Sequence, residues 1–177
     1  MNKPDHIREV VLQPGEFHFG DENTRIRTLL GSCVSITMWH PQRKIGGMCH
    51  YMIPSRNVPQ VKMLDGRYAD EAMEMFIRQI KAFGTHPSEY KVKAFGGGNM
   101  FPDIARNCAC LVGETSEDCT SVSCRNTGTA RSIIAMHGLE IEAHDLGGEG
   151  HRNIVFDIWS GHVWVRQAKV IKRRSAP

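Results

Sequence analysis

The chain has no apolar run long enough to cross a bilayer. Its first residues, Met1-Asn2-Lys3-Pro4-Asp5-His6, hold no apolar signal core. Membrane insertion and secretion are therefore not expected, and the expected location is the cytoplasm. Six cysteines in a reducing compartment should be thiols. Strong charge of either sign is also missing. The net charge of +3 neither demands nor forbids an acidic partner. Lys169, Lys172, Arg173 and Arg174 gather in a tail from about residue 168 to 177, without the broad basic face or interleaved aromatics of a nucleic-acid site. They read as a solvated tail, so no nucleic acid is expected as a partner.

Internal repeats and low-complexity linkers are absent as well. A chain of 177 residues, 41% hydrophobic and 23% charged, then reads as one ordinary globular domain over 1–177. Two glycine clusters, Gly96-Gly97-Gly98 and Gly147-Gly148-Glu149-Gly150, match neither the P-loop nor the dinucleotide spacing. They read as tight turns or close backbone packing, and no cofactor is expected. His40, His86, His144, His151 and His162 lack zinc-protease spacing and read as surface or turn residues.

What is present is strand-rich. Residues 8–19 and 24–54 read as strands, broken by the polar Gly20-Asp21-Glu22-Asn23. Pro59 and Gly66 mark a loop over 55–66. A helix is expected over Asp70–Phe83, with Asp70 as N-cap, Gly84 as terminator, and a stripe of Ala72, Met73, Phe76, Ile77, Ile80 and Phe83. A short strand over Val92–Phe95 follows, then a second helix from about Thr127 to His137. Strands at 139–144, 153–158 and 162–167 close the chain. The class is mixed α/β, of the α+β kind.

One stretch carries chemistry. Thr28-Leu29-Leu30-Gly31-Ser32-Cys33-Val34-Ser35-Ile36-Thr37-Met38-Trp39 and Ile45-Gly46-Gly47-Met48-Cys49-His50-Tyr51 read as two strands around a turn at Pro41. A turn centred on Pro41-Gln42 puts Cys33 opposite His50; a loop longer by two makes them diagonal neighbours on one face. A thiol beside an imidazole is the minimum apparatus of a cysteine nucleophile. Gly31 permits close backbone approach, so amides near Ser32-Cys33 can serve as an oxyanion hole. Cys49 has the opposite parity to His50 and should point to the other face. Buried cysteines are more often plain core residues, and the dyad alone fits a protease, an acyltransferase, or a non-enzymatic adaptor with a vestigial site.

Leu-Gly-Ser-Cys-Val with a histidine seventeen positions after the cysteine resembles the chemoreceptor glutamine deamidase CheD family of bacterial chemotaxis. Arg67-Tyr68-Ala69-Asp70-Glu71-Ala72-Met73, Phe95-Gly96-Gly97-Gly98-Asn99-Met100-Phe101, Asp145-Leu146-Gly147-Gly148 and Gly161-His162-Val163-Trp164-Val165 resemble further family elements, in family order. The resemblance covers roughly residues 10–167. It implies a β-sandwich-like core of mixed sheets flanked by helices, similar to bacterial deamidating toxins. It implies Cys33 and His50 as catalytic pair, with Gly31, Ser32, Gly96, Gly97 and Gly98 forming the oxyanion and substrate loops. It implies chemoreceptor cytoplasmic helices as substrate, entering between the Cys33 hairpin and the glycine loop, and a CheC-type phosphatase as regulator. Some members carry a threonine six positions before the cysteine, where this chain has Arg27. Thr28, five before, is carried over as the third catalytic residue, although on an unbroken strand that odd offset points away from the site unless a bulge near Gly31 shifts the phase.

The segment from Cys108 to Cys124 departs from the family pattern and reads as an insertion. Cys108, Cys110, Cys119 and Cys124 are thiols that could bind zinc, although the spacing is not a paired Cys-x-x-Cys. Reduced or transiently paired thiols on an exposed loop are the plainer reading.

Overall fold

A computed structural model describes residues 3–56, 63–101 and 121–168. Among the described residues nine strands form two sheets. One is four-stranded, in the order β1 (Arg8–Val11), β3 (Thr24–Leu30), β8 (His151–Asp157), β9 (His162–Ala168). The other is five-stranded, in the order β2 (Phe17–Gly20), β5 (Ile45–Cys49), β4 (Val34–His40), β6 (Lys91–Gly96), β7 (Ile141–Leu146). Two helices, α1 (Ala69–Ala82) and α2 (Val122–Met136), complete the α+β architecture. No described helix is long and apolar enough to cross a membrane.

Two apolar clusters show how the layers stack. Ile26, Leu30, Ile154 and Phe156 of the four-stranded sheet meet Met48 and Phe95 of the five-stranded one. The opposite face of the larger sheet, with Val34, Ile36, Met38, Cys49, Val92 and Ala94, packs on Met73, Phe76 and Ile80 of α1 and Ala130, Ile133 and Ile134 of α2. The expected β-sandwich-like core with flanking helices is what forms, with both helices on one outer face.

The strand-like run from 24 to 54 is divided differently from its sequence pattern. β3 pairs antiparallel with β8 in one sheet, and β4 pairs with β5 and β6 in the other. The chain therefore changes sheets at Gly31-Ser32-Cys33. The β4–β5 loop is Pro41–Lys44, two residues longer than a turn on Pro41-Gln42 alone, with Lys44 in the left-handed region at φ 49.

Helix α1 begins one residue earlier than expected. Tyr68 is its cap residue, and Asp70 lies in its first turn, where its carboxylate accepts from the Glu71 amide at 2.9 Å. Of the expected stripe, Ala72, Met73, Phe76 and Ile80 are buried while Phe83 is exposed. Gly84 ends the helix at φ 64. Helix α2 begins at Val122, five residues ahead of the expected Thr127, and so takes in the end of the presumed insertion. Cys108, Cys110 and Cys119 lie outside the described residues, as does the tail beyond Ala168. Cys124 is buried in α2 and disulfide-bonded, which corrects the expectation of six reduced thiols. A disulfide sulfur has no thiolate to offer a metal, so Cys124 is not a zinc ligand.

Candidate active site

The candidate residues gather where the chain changes sheets. The bridge between Val34 and Tyr51 continues the β4–β5 register beyond the strands. That register sets Ser35 opposite His50 and Cys33 opposite Met52. Cys33 and His50 are thus diagonal neighbours, the arrangement expected for the longer loop. Both lie on the face turned toward the four-stranded sheet: Cys33 packs on the inter-sheet cluster, and His50 shares the parity of Met48. Cys49 and Tyr51 point the other way, into the helix-covered core.

The His50 backbone is clamped by the loop before β2. Its amide donates to the Glu16 carbonyl at 2.9 Å, and its carbonyl accepts from the Gly15 amide at 2.7 Å. Its ring is fixed from the other sheet. Thr28 Oγ1 donates to the Leu12 carbonyl at 2.8 Å and lies 2.8 Å from His50 Nδ1. A hydroxyl has a single proton, and here the carbonyl takes it. The Thr28–His50 bond must then be donated by Nδ1–H, which leaves the lone pair on Nε2. That Nε2 is buried and has no partner among the described residues.

Thr28 therefore joins the site, and no bulge is needed. The parity argument assumed one continuous strand, whereas Thr28 stands on β3 in the facing sheet. Ile26, Thr28 and Leu30 all turn inward there. The residue five positions before the cysteine reaches the histidine across the sandwich.

Burial sets the electrostatics. It lowers the His50 pKa to about 4, opposed only in part by the negative charge of Glu16. It raises the Cys33 thiol above its ordinary value. At neutral pH a thiol and a neutral imidazole therefore share this face in the resting site, rather than a thiolate and an imidazolium. Cys49, fully enclosed, is pushed up to about 12 and is chemically inert.

The Gly31–Cys33 loop is held through its carbonyls. Gly31 O accepts from the Gly98 amide at 2.8 Å, and Cys33 O from the Gly97 amide at 2.7 Å. Ser32 O accepts from Asn126 Nδ2 at 3.0 Å. The glycine loop thus lies directly on the cysteine loop, with no cleft between them. A Cβ at Gly96 would collide with the Cys33 carbonyl and one at Gly97 with the Thr127 side chain, and both glycines have positive φ, 112 and 65. Gly97 and Gly98 have their amides engaged and cannot be oxyanion donors; close backbone packing is their role. The amides of Ser32 and Cys33 enter no backbone hydrogen bond among the described residues.

Among the described residues no group of three or more His, Cys, Asp or Glu could hold a metal ion. His40, read as a turn or surface residue, is buried at the end of β4, edge-on to Tyr90 with ring centroids 5.2 Å apart. The Asn126 contacts, to the Ser32 and Met52 carbonyls, were not foreseen: they join segments far away in sequence, and no local pattern announces them.

The family model described as CheD chemotactic sensory transduction matches residues 52–167, beginning just past His50. Curated relatives extend the likeness over the dyad. The chain is 51% identical over 166 residues to the probable chemoreceptor glutamine deamidase CheD of Pseudomonas savastanoi pv. phaseolicola, covering 94% of this chain and 88% of the relative. It is 47% identical over 162 residues to the probable chemoreceptor glutamine deamidase CheD 3 of Dechloromonas aromatica, covering 92% and 89%. Among solved structures, YlmD from Geobacillus stearothermophilus is similar at a TM-score of 0.44 and 13% identity, over 75% of this chain and 51% of that one.

Proposed function

We propose, from the premise that this chain belongs to the CheD family, that it is a cytoplasmic deamidase converting chemoreceptor glutamine side chains to glutamate. The observation that carries the mechanism is the Thr28–His50 tether. It fixes the imidazole in the tautomer that leaves Nε2 a free base on the face where Cys33 lies.

Nε2 takes the Cys33 proton as the sulfur attacks the carboxamide carbon of the glutamine. The tetrahedral oxyanion is met by the Ser32 and Cys33 amides. His50, now protonated, gives that proton to the departing nitrogen, because ammonia is a poor leaving group as an anion. A thioester between Cys33 and the substrate carbonyl remains. Water attacks it while Nε2 accepts a water proton. Collapse breaks the C–S bond, the sulfur recovers the proton, and glutamate is left. Glutamine plus water has become glutamate plus ammonia, with no cofactor.

A receptor helix is the proposed substrate, and a CheC-type phosphatase the proposed regulator, acting as a competitive inhibitor at the same site. Both rest on the family resemblance. Incubation with a chemoreceptor cytoplasmic fragment tests the reading. Ammonia release with an intact backbone and a gain of about one mass unit at each modified glutamine is the expected result. Cleaved fragments would mean proteolysis instead. Free glutamine turned over as fast as the receptor would remove the substrate assignment.

A further inference from the structure

Asn126 is a fully buried side chain that touches both the cysteine loop and the segment after His50. Its Nδ2 donates to the Ser32 carbonyl at 3.0 Å and to the Met52 carbonyl at 2.7 Å. Both partners are acceptors only, so the amide orientation is fixed by chemistry: the NH2 end must face them. Its Oδ1 is buried without a partner among the described residues. The side chain has given both protons to the loops and left its own oxygen unsatisfied, an arrangement that core packing alone does not explain.

Peptide geometry gives that contact a consequence. In a trans peptide the C=O and the following N–H point in opposite directions. Asn126 belongs to α2, on the helix-covered face of the five-stranded sheet. Holding the Ser32 carbonyl toward α2 turns the Cys33 N–H toward the inter-sheet face, where the Cys33 side chain and His50 lie. The neighbouring peptide is held in the same way: Gly98 fixes the Gly31 carbonyl and so sets the direction of the Ser32 N–H.

We propose that Asn126 is the positioning residue that aims the oxyanion donor, and that its second bond, to Met52, keeps the base segment in register with the nucleophile loop. The proposal rests on the deamidase reading above. It predicts that Asn126 matters to reactions that build an oxyanion at Cys33 and not to the reactivity of the sulfur itself.

The test compares two reactions at one sulfur in N126A. Deamidation of a receptor fragment passes through a tetrahedral oxyanion; alkylation of Cys33 by iodoacetamide, a displacement at a saturated carbon, does not. The expected result is a kcat for deamidation lowered at least about tenfold, approaching the roughly hundredfold loss of deleting an oxyanion donor outright. KM and the alkylation rate of Cys33 should stay near those of the parent protein. If N126A does not fold, N126L serves, since it nearly keeps the side-chain shape while removing both donors without adding a charge. Deamidation and alkylation falling together would mean a merely structural role, and unchanged deamidation would mean no role; either result overturns the proposal. A parent protein that alkylates at Cys33 but releases no ammonia would instead defeat the deamidase reading.

Discussion

On the helix-covered face of the five-stranded sheet, Val34, Ile36, Met38, Cys49 and Tyr51 pack into an apolar core. On the opposite face of the same segments stand Cys33, Ser35, Thr37 and His50. The two sets alternate residue by residue, because a strand turns successive side chains to opposite faces. One face is built for packing. The other carries buried polar groups, of which Ser35 Oγ and His50 Nε2 have no partner among the described residues. Two cysteines thus have different fates by parity: Cys33 is half-buried on the face that carries His50, and Cys49 is sealed in the core with Ile36 N donating to its sulfur at 3.4 Å. Unsatisfied polar groups destabilise a fold, so two of them on the face that carries Cys33 mark a place where chemistry has been put ahead of stability.

Removing the chemistry of the inter-sheet face should have the largest effects. C33A is expected to abolish ammonia release, and H50A to lower turnover by about two to four orders of magnitude with substrate binding retained. Steady-state assays on a receptor fragment check both; an H50A loss under about tenfold would assign the proton transfers elsewhere.

The tether comes next. T28V keeps the side-chain shape but loses the oxygen that accepts from Nδ1. A hydrogen bond to a group that becomes charged contributes about 1.5–3 kcal/mol, so kcat should fall about ten- to hundredfold. Unchanged kcat would show that the ring is held by packing alone.

The uncharged resting pair has its own signature. Alkylation of Cys33 should be slow at neutral pH and still rising as the pH passes 9, because burial raises the thiol. Fast alkylation at pH 5–6 would reveal a preformed thiolate–imidazolium pair, contrary to the buried environment. The same burial makes stability pH-dependent. Between pH 6.5 and about 4 the unfolded chain protonates its histidine while the folded chain keeps His50 neutral. Stability therefore falls as the pH falls through that window, by at most about 3 kcal/mol. Denaturant unfolding at the two ends should show this slope in the parent protein and less of it in H50Q.

The smallest effect belongs to the packing face. C49A should leave turnover unchanged and lower stability by about 1–2 kcal/mol, the scale of a small buried deletion. Loss of activity without loss of stability would break the assignment of duties to faces.

Much of this division was legible in the sequence. Period-two alternation placed Cys33 and His50 on one face and Cys49 on the other, and the family resemblance pointed to the same pair. The helices were legible from their apolar stripes. The change of sheet at Gly31–Cys33 was not. Residues 24–39 read as one strand, and a glycine followed by serine is no distinctive sign that the chain leaves a sheet. Thr28 was therefore given a place in the site only on condition of a bulge near Gly31, whereas it is the change of sheet that brings it to His50. Of the two hairpin loops left open by the sequence, the longer one forms, with Lys44 in a left-handed conformation that nothing in its side chain favours. Asn126 was invisible as a positioning candidate because its partners lie 94 and 74 residues away.

The central claim, that Cys33 on the inter-sheet face forms the covalent intermediate with His50 as its base, is tested most directly by quenching turnover in acid and mapping the enzyme by peptide mass spectrometry. The account predicts a thioester-linked receptor segment on the peptide containing Cys33, absent from C33A, with the Cys49 peptide unmodified. Continued ammonia release in C33A, or an adduct on Cys49, would contradict it.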